Sequence, residues 1–247
     1  MSAEDMSESA PALLAVFAHP DDETFRSGGT LALLAQRGVR VCVLCATRGE
    51  AGVPGMACEE AGRLRQSELE CACRALGIAP PRLLDYRDGT LGEVDEEEAV
   101  GRVLDAVREL RPQALLTWPP DGLSGHPDHV AVSRWTMLAF QQAATLERDA
   151  PMSLYHLVMP RSVAEALALS HLCTVPDEQI TLAVDVTPVL GQKLAAIQCH
   201  QSQMNGSPIL HAAPDKQRMF LGKEYFRLAL KRPGPQAGAQ EDPFERL

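Results

Sequence analysis

The stretch Ala12-Leu13-Leu14-Ala15-Val16-Phe17-Ala18-His19-Pro20-Asp21-Asp22-Glu23, continued at Gly28-Gly29-Thr30-Leu31, is where the reading of this chain begins. Seven apolar residues in a row, 12–18, have the length of a strand rather than a helix. A strand apolar on both faces belongs inside a sheet that is covered on both sides. The polar turn after it leads to a helix opened by Gly28-Gly29-Thr30, carrying Leu31, Leu33 and Leu34 and stopped by Gly38, a good C-cap residue. The same unit recurs downstream. A second strand spans 39–46, then a Gly-rich loop 47–56 and a helix from about 59 to 76 ended by Gly77. A short strand covers 82–86, a helix 95–110 sets Val100, Val103, Leu104 and Val107 on one face, and a fourth strand covers 114–117. Pro127 stands at the first position of the next helix. Residues 154–159 and 181–186 read as strands and 189–200 as a helix.

Strands alternating with helices specify an α/β fold: a Rossmann-like, doubly wound, mostly parallel sheet with helices on both faces, in a single domain. In the common doubly wound order strands one and four are neighbours, and ligands bind outside their carboxyl ends. The domain is expected over residues 12–230. An acidic segment 1–11 precedes it and is expected to be flexible. The tail 231–247, rich in Pro, Gly, Ala and Gln, is expected to be disordered.

Composition narrows the function. Lys and Arg number 23 against 33 Asp and Glu, a formal charge of −10, and only 11 residues are Phe, Tyr or Trp. Such a surface repels phosphate backbones and offers few rings for base stacking, so nucleic acid is not an expected partner. No apolar run approaches the roughly 20 residues of a membrane span, and the acidic start lacks the basic region of a signal peptide, which together read as a cytoplasmic chain with no membrane partner. Seven cysteines make an odd number, and a disulfide framework is not expected in a cytosolic domain of this size. Cys42 and Cys45 point to opposite faces of one strand, and Cys71 and Cys73 diverge around a helix. All four read as buried small apolar residues.

Two clusters rich in histidine and carboxylate fall at the two strand ends that the topology singles out. His19-Pro20-Asp21-Asp22-Glu23 follows the first strand, and His126-Pro127-Asp128-His129 follows the fourth. His19 and Asp22 are three apart across a tight loop, and His126 and His129 three apart at a helix start, so each pair can face one point. Two imidazoles and a carboxylate with one open position form a catalytic zinc arrangement. A further carboxylate beside it can serve as general base, and a histidine backed by an aspartate can stabilise an oxyanion or protonate a leaving amine. These are the parts of metal-assisted amide hydrolysis. There is no G-x-S-x-G, and Gly49, Gly52 and Gly55 form no phosphate-binding loop, which disfavours a serine hydrolase and a nucleotide binder. Glu23 reads as a structural acid at a helix start, the run Asp95-Glu96-Glu97-Glu98 as an acidic helix opening, and His156 and His171 as packed or exposed residues without ligand company. Cys199 and His200, adjacent on a helix, point about 100° apart and do not make a nucleophile pair.

The segments Ala18-His19-Pro20-Asp21-Asp22-Glu23, Gly28-Gly29-Thr30 and Gly125-His126-Pro127-Asp128-His129 resemble the LmbE-like (PIG-L) family of zinc-dependent N-acetylglucosaminyl deacetylases. The resemblance extends to Thr47-Arg48-Gly49-Glu50, to Arg65 with Glu68, and to Lys193 with Cys199-His200-Gln201-Ser202-Gln203. It implies that His19, Asp22 and His129 bind one zinc ion and that Asp21 is the general base. It also implies that His126 stabilises the transition state, that Asp128 orients it, and that Arg65 and Asp88 meet sugar hydroxyls. Other divalent metals also suit two imidazoles and one carboxylate. The substrate implied is a small N-acetylated amino sugar, and a homo-oligomer is a possible assembly. Two positions depart from the family pattern: Ser124 stands where some members carry a tyrosine, and Arg26 stands where small residues are usual. Arg26 and Arg48 are candidates for an anionic group on the substrate, which would favour an acidic substituent at the sugar's anomeric end. Arg26 could instead form a surface ion pair, and Arg48 a salt bridge to Glu50 or Glu59. The alternatives in activity are a related zinc amidase acting on a thiol conjugate or another N-acylated small molecule, and a zinc-holding protein without turnover.

Overall fold

The computed structural model describes residues 10–146, 150–204, 208–232 and 241–247. Four parallel βα units come first: β1 (Ala12–Phe17), the short α1 (Asp22–Phe25), α2 (Gly28–Gln36), β2 (Arg40–Thr47), α3 (Cys58–Leu76), β3 (Arg82–Tyr86), α4 (Glu96–Leu110), β4 (Ala114–Thr117) and α5 (Pro127–Leu146). Then follow β5 (Ser153–Leu157), α6 (Arg161–Leu167), β6 (Leu182–Asp185), α7 (Leu190–Cys199), α8 (Gln201–Met204), α9 (Pro214–Leu221) and β7 (Lys223–Lys231). The sheet order is β3-β2-β1-β4-β5-β7-β6. β1 runs parallel to both β2 and β4, so the two expected strand ends lie side by side. β7 pairs antiparallel with β5 and with β6, which makes the sheet mostly parallel with a mixed edge.

Alternation along β1 divides the core into two. Leu13, Ala15 and Phe17 face Leu31 and Leu34 of α2 and Leu69 of α3, while Leu14 and Val16 face Val103 of α4 and Val132 of α5. Each of these leucines is fully buried, contributing on the order of 2 kcal/mol. Cys45 lies in the first core and Cys42 in the second, as opposite faces of one strand require. Residue 77 ends α3 in the left-handed region at φ 72°, and Asp95 caps α4 by accepting the N–H of Glu98.

One device was not visible in the pattern. The N-terminus of α2 is capped from β7: Glu224 accepts the N–H of Gly29 (2.9 Å) and of Thr30 (2.7 Å). Lys193 of α7 lies 2.7 Å from the same carboxylate and also donates to the Leu221 carbonyl, and neither side chain reaches solvent.

Two sequence expectations need correction. The tail is not wholly disordered: Pro243–Arg246 form a helical turn, Phe244 is buried against Tyr155 and Phe226, and Asp242 accepts from Ser153 and Tyr155. Residues 233–240 lie outside the described residues, as do residues 1–9 of the expected flexible segment. Cys71 is not a buried free thiol but is bonded to Cys199, joining α3 to the end of α7. The fold brings together two helices that the sequence separates by 128 positions. Among the described residues no helix is long and apolar enough to cross a membrane.

Candidate active site

The turn after β1 is held by one side chain. Asp22 Oδ2 accepts the N–H groups of Ala18 (3.1 Å) and His19 (2.9 Å), which folds the carboxylate back over the strand end. Its Oδ1 then faces His129 Nε2 at 3.5 Å, and its Oδ2 lies 3.8 Å from His19 Nδ1. One ligand atom from each of His19, Asp22 and His129 lies within 4.8 Å of the others. Two ligands of a tetrahedral ion with bonds of about 2.1 Å are roughly 3.4 Å apart, so the spacing suits a single ion.

The tautomers suit it too. His129 Nδ1 lies 3.1 Å from the Gly122 carbonyl, which requires the proton there and leaves the Nε2 lone pair facing Asp22. Trp118 stacks flat on the His129 ring, with centroids 4.2 Å apart. Gly122, at φ +67°, has no room for a side chain, since a Cβ would come within 2.9 Å of the His129 Cβ. His19 Nε2 is 3.1 Å from both Asp88 Oδ1 and Asp128 Oδ2, so its proton belongs there and Nδ1 is free. Burial opposes a charge on His19, but its hydrogen bonds to Asp128 and Asp88 and the nearby Asp22 raise it to about 10. Burial likewise opposes ionisation of Asp22, yet His129 and His19 hold its carboxyl well below the ordinary range. Without an ion, protonated imidazoles balance the carboxylates, which is the charge pattern of a cation site.

Asp21 turns the other way. Its backbone sits at φ +106°, and its side chain, 24% exposed, lies 3.4 Å from Arg65. It opens on a cavity of about 560 Å³ walled by Phe25, Leu123, Leu169 and Phe220. Burial pushes its carboxyl up to about 7, with the charge of Asp22 adding to the rise and Arg65 drawing it back. A carboxylate of that basicity beside a cavity has the properties of a general base.

Of the remaining expected residues, Arg65 is buried, donates to the carbonyls of Gly49 and Pro20 and braces Asp21. Gly49, at φ +65°, makes room for it, as a Cβ there would lie 2.3 Å from Arg65 Nη1. Asp88 is engaged by His19 and by the N–H of Ala51 (2.9 Å). The Asp128 carboxylate accepts from Gly89 (2.8 Å) and Leu91 (3.0 Å) and bonds His19, and it lies in one cluster with His19 and His126. It is the Asp128 main-chain N–H that bonds His126 Nδ1 (3.2 Å), which leaves the proton of a neutral His126 on the exposed Nε2. Burial, with His19 and His129 close by, lowers the His126 pKa and favours that neutral form.

The two arginines proposed for an anion are engaged elsewhere. Arg26 is 5% exposed, donates to the Phe220 carbonyl (3.1 Å) and lies over the Phe220 ring, although it does line the Asp21 cavity. Arg48 pairs with Asp85 at 2.8 Å rather than with Glu50 or Glu59. His156 is packed, as expected, and His171 is exposed on the rim of the Asp21 cavity. Sequence reasoning missed Trp118 and the Glu23–His200 pair, whose atoms are 2.7 Å apart in the interior. The signal for Trp118 was a large ring immediately after the fourth strand.

Known proteins share this arrangement's sequence and fold. The PIG-L family profile, described as GlcNAc-PI de-N-acetylase, matches residues 14–140. A 1D-myo-inositol 2-acetamido-2-deoxy-alpha-D-glucopyranoside deacetylase of Salinispora arenicola is 34% identical over 95% of this chain and 91% of its own. The protein of that name from Acidothermus cellulolyticus is 35% identical over 87% of this chain and 88% of its own. The N,N'-diacetylchitobiose deacetylase of Pyrococcus horikoshii superposes with a TM-score of 0.67 at 21% identity, covering 92% of this chain and 87% of that one, a likeness of fold. A profile that spans both histidine clusters, with relatives aligned almost end to end, leaves one assignment: the chain belongs to the PIG-L family of de-N-acetylases.

Proposed function

We propose that this protein hydrolyses the N-acetyl amide of an N-acetylglucosamine conjugate in a metal-dependent reaction, releasing acetate and the free amine. The observation that carries the reading is the division of labour at the β1 end, where Asp22 faces His19 and His129 while its neighbour Asp21 faces the cavity. His19, Asp22 and His129 would hold the ion, and zinc is the metal their donor set favours. Zinc in such a site lowers the pKa of a bound water and polarises a carbonyl. Asp21 takes the proton of the attacking water as its oxygen joins the carbonyl carbon. His126, with Nε2–H exposed, donates a hydrogen bond to the oxygen that gains charge. The C–N bond then breaks, and the proton held by Asp21 passes to the departing nitrogen. Asp88 and Asp128 keep His19 fixed during these steps through their shared contact with its Nε2.

The sugar half of the proposal rests on the names of the full-length relatives, which act on an N-acetylglucosamine joined to inositol. Zinc-loaded protein is expected to release primary amine from that conjugate, measured with an amine-reactive fluorophore. If a panel of N-acetylglucosamine conjugates yields no amine while another N-acyl compound does, the amino-sugar assignment gives way to the wider amidase reading.

A further inference from the structure

Asp21 is a non-glycine residue at φ +106°, ψ −23°, a conformation that costs of order 1–3 kcal/mol and persists only when its surroundings impose it. Three groups do so. Thr24 donates both its N–H (3.0 Å) and its hydroxyl (2.8 Å) to the Asp21 carbonyl, and Arg65 bonds the preceding carbonyl of Pro20. The third is Glu23, whose Oε2 accepts the Asp21 N–H at 3.0 Å.

Glu23 is fully buried, so its second oxygen needs a donor inside the protein. That donor is His200, with Nε2 2.7 Å from Glu23 Oε1 and a ring 1% exposed. His200 directly follows α7, and the corner there is pinned to α3 twice. Cys199 is bonded to Cys71, and Ser202 donates its N–H (2.8 Å) and its hydroxyl (2.6 Å) to Glu68. A line of contacts thus runs from α3 through the corner to His200, Glu23 and the main chain of Asp21.

We propose that His200 is a positioning residue for the reaction: through Glu23 it holds the Asp21 backbone in its left-handed conformation, which aims the carboxylate into the cavity. The His200 ring meets the site through Glu23, while its main-chain carbonyl accepts the N–H of Gln203 in the cavity wall, a contact that side-chain substitution leaves in place. Its charge also acts on Asp21, so exchange at the Asp21 amide is the readout that isolates the backbone effect. This inference rests on Asp21 being the base, as proposed above.

The test uses the full-length protein with His200→Ala and His200→Gln, the latter because a glutamine amide can still donate to Glu23. Two readouts are combined: steady-state kinetics with the N-acetylglucosaminyl inositol, and amide hydrogen exchange at Asp21 by NMR. His200→Ala is expected to lower kcat at least tenfold with KM within twofold and zinc content unchanged. It should also speed exchange at Asp21 at least tenfold while Leu115 and Leu116 in β4 stay protected. His200→Gln is expected to restore most of both. Unchanged kcat, or unchanged Asp21 exchange, in His200→Ala overturns the proposal, as does a glutamine variant no better than alanine. The exchange measurement needs no turnover, so a wild-type protein inactive on every sugar would count against the proposed function and not against the bracket itself.

Discussion

Replacing Lys193 by Met removes an ammonium from a place that water does not reach. Lys193 and Glu224 are both fully buried, 2.7 Å apart, and the carboxylate also caps α2 through the N–H groups of Gly29 and Thr30. Methionine fills nearly the same volume, so the packing change is small and the charge change dominates. Glu224 would be left with two main-chain donors and only the charge of the buried Arg26 nearby, and breaking a buried pair from one side costs about 3–5 kcal/mol. For a chain of this length that corresponds to a fall in Tm of roughly 6–20 °C. The informative comparison adds Glu224→Gln to the same protein. The amide keeps an acceptor for one N–H of α2 and carries no charge, so the double variant is expected to be at least about 2 kcal/mol more stable than the sum of the single losses. Calorimetry on the four proteins at one pH measures this cycle. A Lys193→Met variant that melts within about 2 °C of wild type, or a strictly additive cycle, would show that the pair is not the support of the α2 N-terminus inferred here.

Three further outcomes follow from the site and its neighbours. Alanine in place of His19, Asp22 or His129 is expected to remove most of the bound zinc, read by atomic emission on dialysed protein. Asp21→Asn is expected to keep a full equivalent of zinc while turnover falls at least about 10²-fold, because the two aspartates face different ways. Burial, with Arg227 nearby, pulls His156 down to about 4 from its ordinary 6.5. Between those pH values the unfolded chain binds a proton that the folded chain refuses, so this residue lowers stability as pH falls from 6.5, by about 2–3 kcal/mol at pH 4.5. His156→Leu is expected to shrink the difference in unfolding free energy between pH 8 and pH 4.5 by that amount in denaturant titrations, whereas an equal pH dependence in both proteins would refute it.

The first part of the parallel sheet was legible because β1, β2 and β4 carry apolar runs and the helices α2 and α3 have their stop residues at Gly38 and Gly77. The site was legible because both clusters lie next to strand ends, where local sequence and topology coincide. Charges within apolar stripes escaped the reading. Arg65 shares the buried stripe of α3 with Ala61, Leu69, Ala72 and Leu76, and Lys193 shares that of α7 with Ala196 and Ile197. Such a position is the mark of an interior ion pair or bracket, but its partner comes from elsewhere in the chain and period alone cannot name it. β7 was missed for a related reason, since Glu224 points inward where the pattern calls for an apolar side chain. Asp128 has a different explanation: His126 stands two positions before it in sequence, but the loop after β3 brings the N–H groups of Gly89 and Leu91 onto its carboxylate.

The bond between Cys71 and Cys199 gives the chain a closed ring with two free arms. The ring contains β3, β4, β5 and β6. The N-terminal arm supplies β1 and β2, which lie between β3 and β4, and the C-terminal arm supplies β7, which lies between β5 and β6. Each arm is therefore flanked on both sides by strands of the loop it leaves. A protease that cuts once between residues 72 and 198 yields a molecule that migrates as one species until it is reduced. Even after reduction the two pieces stay interleaved across the sheet, and they separate only on denaturation.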